Sequence, residues 1–346
     1  MNTVAAAAAP AAIPKTRFDA RPLALLLALM LLAWPLVGSG SSWVTLTVAG
    51  LAMGLIIFII ASGLTLVFGL MDVLNFGHGV FIATGAYVAT SVLGGSALVR
   101  GWSGAPALGL NLAAIGLAML AAMAVASAVG LVFERFIVRP VYGQHLKQIL
   151  ITMGGMIVGE ELIKVVWGPE QLPLSLPQAL RGAFVFTVGD GAAAVEKYRV
   201  LAGVVGLAVF AALLWGLNRT KVGLLVRAGV QDREMVESLG YRIRRLFVGV
   251  FVAGSALAGL GGVLWGLYQQ TVVPQIGSQV NVLIFIVIII GGLGSTLGCF
   301  VGALLVGLMA NYTGFLAPKV ALFSNIGLMV AILLWRPQGL YPVARR

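Results

Sequence analysis

The chain has 346 residues, of which 60% are hydrophobic and only 10% charged, its net charge is +11, and its mean hydropathy is +1.05. Soluble domains contain about 45–50% apolar and about 25% charged residues, so this composition excludes a water-soluble fold. Continuous apolar runs of helix length exclude a β-barrel, and one cysteine with two histidines excludes a disulfide framework within the chain and a cysteine or zinc cluster.

The amino-terminal residues 1–22 are rich in alanine and proline and carry basic residues, which predicts a cytoplasmic tail. Residues 23–37 form a short apolar run followed by small residues, a pattern similar to a signal peptide. Because another long apolar run follows at once, we predict an uncleaved first helix. The further predicted spans are 43–70, 77–98, 108–133, 146–166, 200–217, 246–272, 280–311 with a break at 291–295, and 320–335. The fold class is therefore an all-α polytopic membrane protein with about eight to ten transmembrane helices, some of them broken.

The loops predict the orientation of the chain. Residues 218–245 hold seven arginines and lysines, and 134–147 hold three more, so both loops are expected in the cytoplasm. This distribution explains the positive charge without nucleic acid. The loop 168–199 then lies outside, and the alternating residues Phe184 to Val188 before Gly189-Asp190-Gly191 predict a small β-hairpin there. The remaining domain, 23–346, is transmembrane.

One cytoplasmic segment is predicted to be a short amphipathic helix. On a continuous helix over residues 224–239, Leu224, Leu225, Met235, Val236 and Leu239 share one sector of the surface. Gly240 follows as a helix stop. The apolar sector rests either on lipid headgroups or on a cytoplasmic partner.

An interrupted segment at residues 71–79 is the candidate for a translocation path. Asp72, Asn75 and His78 recur at three-residue spacing, so on a helix they share a broad face beside Gly79. A discontinuous helix of this kind lines water-filled paths in membrane proteins. The alternative is a cytoplasmic loop in which Asp72 is an N-cap. The matching break in the second half contains Gly291, Gly292 and Gly294, for which close helix packing is the alternative explanation.

Four stretches together give a specific resemblance. They are 226–241 (VRAGVQDREMVESLGY), 74–79 (LNFGHG) with Gly85-Ala86-Tyr87, 134–140 (ERFIVRP), and 291–295 (GGLGS) with 335–340 (WRPQGL). In their order along the chain they resemble the permeases of branched-chain amino acid ABC importers of the LivH/LivM type, from about residue 44 to the end.

The resemblance implies a permease subunit that carries branched-chain amino acids or a related small polar solute across the bacterial inner membrane. It implies a second permease subunit in a hetero- or homodimer, two cytoplasmic ATPases and an extracytoplasmic solute-binding protein. The residues expected to couple to the ATPase are Arg227, Gln231, Asp232, Met235, Glu237, Leu239 and Gly240. The chain has no Gly-x-x-x-x-Gly-Lys-[Ser/Thr] loop, so ATP and magnesium are expected on the partners, and the chain is expected to hold no cofactor and to be no enzyme.

The competing hypothesis is a secondary transporter driven by an ion gradient, with Asp72 or Glu160 at the coupling-ion site. Glu160, Glu161 and Lys164 have the spacing of a helix-surface ion pair, and an anchor at the level of the outer headgroups explains them more simply.

Overall fold

The computed structural model describes residues 19–189, 191–231 and 233–342, the side chains of residues 227, 230, 231, 233 and 322 excepted. Almost all regular structure in this part is helical, which confirms the all-α fold class. The α-helices are α1 Arg21–Val37, α2 Gly40–Met71, α3 His78–Gly95, α4 Ala97–Gly104, α5 Leu108–Phe133, α6 His145–Trp167, α7 Lys197–Arg219, α8 Lys221–Gln231, α9 Arg233–Ser238, α10 Ile243–Gln269, α11 Ile276–Gly291, α12 Thr296–Leu316 and α13 Ala321–Trp335. A π-helical turn, Glu134–Val138, extends α5.

Three 3-10 turns, Arg139–Val141, Gln178–Leu180 and Pro318–Val320, and four short strands complete the described elements. The strands are β1 Leu172–Pro173, β2 Ala183–Val188, β3 Gly191–Glu196 and β4 Thr271–Val272. β2 and β3 pair antiparallel with Val188 opposite Gly191, so the hairpin predicted from the alternating residues is confirmed. Its turn residue Asp190 lies outside the described residues. β1 pairs with β4, which fastens the 168–196 loop to the end of α10.

Five helices are long and apolar enough to cross a membrane, namely α2, α5 with its π-helical extension, α7, α10 and α12. A sixth span is possible if α3 and α4, which meet at a bend of 90°, are taken together. Three further apolar helices, α1, α11 and α13, are shorter. The protein is a multi-pass membrane protein, and the number of membrane crossings stays a prediction.

The helix α2 forms the centre of the bundle. Nearly all of its residues from Gly54 to Phe68 are buried, because α7, α10 and α12 pack around it. The single cysteine, Cys299, is buried beside it on α12. Helices α6 and α7 lie at the periphery and keep large apolar side chains exposed, as expected of surfaces that face lipid.

The predicted basic loops lie together at one end of the bundle. His145 approaches Asp72, with 3.8 Å between Nε2 and Oδ2, and one groove joins Leu70 to Arg245. The carboxyl-terminal segment reaches the same end, since the Tyr341 backbone N–H donates to Gly291 O at 3.0 Å. We call this end the basic end; the opposite end carries β1 to β4. The location of the basic end in the cytoplasm stays a prediction.

Both termini of the described chain are tied to the basic end. Arg336 pairs with the Asp19 carboxylate, and the Tyr341 hydroxyl donates to the backbone oxygen of Asp19 at 2.8 Å. The hydrogen bond from Arg336 lowers the pKa of the Asp19 carboxyl. The stabilisation from this pair is therefore present above the ordinary aspartate pKa and is lost as the pH falls through the lowered value.

Candidate functional site: an interrupted helix crossing and a basic-end surface

The chain turns back into the bundle after α2. Asp72 ends the helix with a left-handed backbone (φ 53°), and its N–H donates to Phe68 O. Residues 73–77 are not helical, and α3 begins only at His78. His78 Nε2 lies 3.1 Å from the backbone oxygen of Ile60, eleven residues before the end of α2. At 1.5 Å per residue, α3 therefore begins roughly 16 Å inside the bundle.

A second helix, α11, also begins at depth. Its 16 residues span about 24 Å, less than the roughly 30 Å of a hydrocarbon core. Near its start, Gly277 meets Gly79 of α3 so closely that a Cβ on Gly277 would lie 2.0 Å from the Gly79 backbone oxygen. Only glycine permits this approach. We call the place where residues 75–79 meet the start of α11 the crossing.

The backbone of Phe76 is held at the crossing from two sides. Its N–H donates to Thr152 Oγ1 of α6 at 3.1 Å, and its carbonyl accepts from Asn281 Nδ2 of α11 at 2.9 Å. Its ring stacks on Phe285, with 4.5 Å between centroids. These bonds give partners to the N–H and the carbonyl of Phe76, which lie outside any helix. Irregular backbone at membrane depth requires such partners.

Unpaired polar atoms lie on the three segments that meet at the crossing. Asn75 Nδ2, Asn281 Oδ1 and Gln148 Oε1 are buried and have no hydrogen-bond partner among the described residues. An unpaired buried amide costs roughly 1–3 kcal/mol, so such groups need water or a ligand to bind. The segments that meet at the crossing thus carry one amide donor and two amide acceptors that are closed to solvent and have no partner among the described residues.

The structure separates the residues predicted for the path. Asn75 and Gly79 lie at the crossing, but Asp72 lies at the basic end with its side chain 43% exposed, and the buried His78 points to α2. The prediction that Asp72, Asn75 and His78 share one helical face is therefore wrong, because the linker between them is not helical. Asp72 is also no N-cap; it is the residue that ends α2.

The glycine break predicted at 291–295 is confirmed, and it lies at the basic end, where Gly294 meets Gly69. Gly292 and Gly294 form the turn between α11 and α12 with positive φ angles of 96° and 82°, and Gly291 packs against Gly298. Close helix packing there is confirmed. The element that matches the 72–77 linker in depth is instead the start of α11, which sequence analysis missed together with Gln148, Thr152 and Asn281. The amides of Gln279 and Asn281 near the start of an otherwise apolar helix were the available signal.

Replacing Thr152 by valine is expected to loosen the crossing. The change keeps the shape of the side chain but leaves the Phe76 N–H buried without an acceptor, which costs about 1–3 kcal/mol. The thermal midpoint of the purified chain should fall by several degrees. Thr84→Val is the matched control, because Thr84 bonds only the Val80 carbonyl one turn earlier in its own helix. Equal midpoints for the two variants would show that the Phe76 bond stabilises nothing.

The second candidate site is a surface at the basic end. The helix predicted over 224–239 is present as α8 and α9 on either side of residue 232, which lies outside the described residues. The buried face is not the predicted apolar sector, because Val226 and Val236 are the residues that are buried. Leu224, Met235 and Leu239 remain half or more exposed.

Gly240 ends α9 as predicted. It has a φ of 85°, its N–H donates to Glu237 O, and the Tyr241 N–H donates to Val236 O, which together form a Schellman motif. A cleft of about 390 Å³ follows, lined by Glu237 and residues 240–245. We call the exposed side of α8, α9 and this cleft the coupling surface. Asp232 and the side chains of Arg227 and Gln231 lie outside the described residues.

Comparison with known proteins identifies the chain. The profile of the family described as "Branched-chain amino acid transport system / permease component" matches residues 46–334. The chain belongs to this family.

Curated relatives cover most of the chain. The high-affinity branched-chain amino acid transport system permease protein BraD of Pseudomonas aeruginosa is 31% identical over 302 residues, 85% of this chain and 94% of BraD. LivH of Escherichia coli K12 is 27% identical over 84% of the chain and 92% of its own length. LivM of the same strain is 28% identical over 92% of the chain and 75% of its own length. No solved structure shows significant similarity. These matches confirm the family inferred from sequence motifs.

Proposed function

We propose that this branched-chain amino acid permease family member is a subunit of an ATP-driven importer in the bacterial inner membrane. The family match over residues 46–334 carries the proposal. Its solute is a branched-chain amino acid or a related small polar molecule, as the names of BraD, LivH and LivM suggest. The polar groups at the crossing suit a solute that has to leave water for a membrane interior.

The proposed partners follow from the surfaces of the chain. A second permease subunit completes the path, and two ATPases that hold ATP and magnesium bind the coupling surface, which exposes Leu224 and Leu239. A solute-binding protein docks at the opposite end, where the β2–β3 hairpin exposes Phe184 and Val185. The chain itself breaks no covalent bond and needs no cofactor.

Transport then follows from differential binding. ATP-driven closure of the ATPases favours one arrangement of the permease pair over another, and α8 and α9 transmit the difference because Val226 and Val236 anchor them to the bundle. The interrupted elements at the crossing can change their relative position without breaking a continuous helix. In this mechanism Asn75, Gln148 and Asn281 contact the solute.

The energy source provides the test. Proteoliposomes that contain the complete transporter, with ATP and magnesium enclosed and binding protein outside, should accumulate labelled leucine. Omission of ATP should abolish accumulation, while collapsing proton and sodium gradients should leave it unchanged. Accumulation by this chain alone on an imposed ion gradient would contradict the proposal and support a secondary transporter.

A further inference from the structure

An apolar groove of about 430 Å³ opens between helices at the basic end. Its walls are α2, α7 and α10, and α8 closes it through Val222 and Val226. Along α10 it extends from Arg245 to Ala253, about 12 Å at the rise of an α-helix. Its lining is almost entirely apolar apart from Thr220 and Arg245.

The groove lies on the lipid-facing side of the bundle. Only 11% of the apolar window of α7, which forms one wall, is buried inside the protein. A lateral opening between membrane helices is accessible to acyl chains, and a groove about 12 Å deep takes part of one chain from the headgroup level inwards.

Charge identifies the headgroup. Arg245 is exposed at the mouth of the groove, and no ion pair of the described residues involves it. Residues 219–245 hold seven arginines and lysines in all, against Asp232, Glu234 and Glu237. Basic pockets between membrane helices bind anionic lipid headgroups, and a guanidinium matches a phosphate group in particular.

We propose that this groove binds one anionic phospholipid, with an acyl chain against α2, α7 and α10 and the phosphate on Arg245. The bound chain contacts α8 and so stabilises the position of the coupling surface. This last consequence rests on the proposed function, whereas the binding itself does not.

Two glycines make the groove testable without disturbing the fold. Gly216 and Gly249 line it, and a Cβ at either position would meet nothing within 4 Å. A leucine at position 249 therefore occupies the space of the acyl chain while the helices stay in place, and leucine also favours the helix over glycine. Gly116 on α5 offers equally open space away from the groove and gives the matched control, Gly116→Leu.

The experiment is native mass spectrometry of the purified full chain with phosphatidylglycerol or with phosphatidylcholine of the same acyl chains. The wild type should retain one phosphatidylglycerol and bind phosphatidylcholine about fivefold more weakly. Arg245→Gln should bind phosphatidylglycerol about fivefold more weakly than the wild type does. Gly249→Leu should weaken binding on the order of tenfold or more. Gly116→Leu and Arg100→Gln, at the opposite end, should bind as the wild type does.

Each contrary result has a defined meaning. Equal retention by Gly249→Leu and Gly116→Leu would overturn the groove as the site, and equal retention of the two lipids would overturn the phosphate contact. Photo-crosslinking from Gly249→Cys, labelled with a benzophenone maleimide, to a second permease subunit in the complete transporter would replace the lipid by a protein occupant. If Gly249→Leu loses the lipid but keeps ATP-driven uptake, the lipid does not stabilise the coupling surface, although the groove remains its binding site. Failure of the wild-type transporter to use ATP would instead contradict the proposed function.

Discussion

The double substitution Leu224→Asp with Leu239→Asp is expected to abolish ATP-driven uptake and to detach the ATPases. Both side chains are more than 60% exposed on the coupling surface, so the change removes no packing within the chain. Each substitution removes an apolar contact and places a carboxylate in the interface, where burial of an unpaired charge is costly, so the affinity should fall on the order of a hundredfold or more. Co-purification of the ATPases and leucine uptake in proteoliposomes measure the two effects.

The same chemical change at the opposite end is the control. Val185→Asp alters a residue of the β2–β3 hairpin that is 68% exposed, and it should leave the ATPases attached. The double variant should also keep the thermal midpoint of the wild-type chain. Retention of the ATPases by the double variant would refute the assignment of α8 and α9 to coupling.

The substitution Gly277→Leu is expected to prevent the crossing from forming. Its Cβ would lie 2.0 Å from the Gly79 backbone oxygen, and backbone at that distance cannot yield by a rotamer change. Overpacking of this kind typically costs 1–3 kcal/mol, and more where backbone must move. The thermal midpoint should fall by at least several degrees, and uptake should be lost even in transporter that assembles.

The control for this variant is again Gly116→Leu, which introduces the same side chain into open space. It should match the wild type in stability and uptake. If Gly277→Leu transports normally, the close approach of Gly79 and Gly277 is not required at any step of transport.

The sequence predicts the long apolar elements well because hydropathy is a local property. The span predicted at 108–133 coincides with α5, and the one predicted at 43–70 differs from α2 by three residues at its start and one at its end. The hairpin follows from alternation, and the end of α9 follows from a glycine that alone adopts the required φ without strain.

Depth and tertiary contact have no such local signal. Hydropathy does not show that α3 starts beside Ile60, or that α11 starts beside Gly79, because both segments are apolar wherever they begin. The groups around Phe76 come from residues 75, 148, 152 and 281, which are far apart in the chain and meet only through the packing of three segments. Which face of residues 224–239 is buried likewise depends on tertiary packing, since Val226 and Val236 lie against the bundle while Leu224 and Leu239 stay exposed.

The burial of Cys299 has a practical consequence. Its side chain is only 1% exposed, so the native background presents no accessible thiol among the described residues. A cysteine introduced at Val185 or at Leu239 would react selectively with a membrane-impermeant maleimide, without prior removal of the native thiol. Labelling of intact cells at one of these two positions, and not at the other, would determine which end of the bundle faces the cell interior.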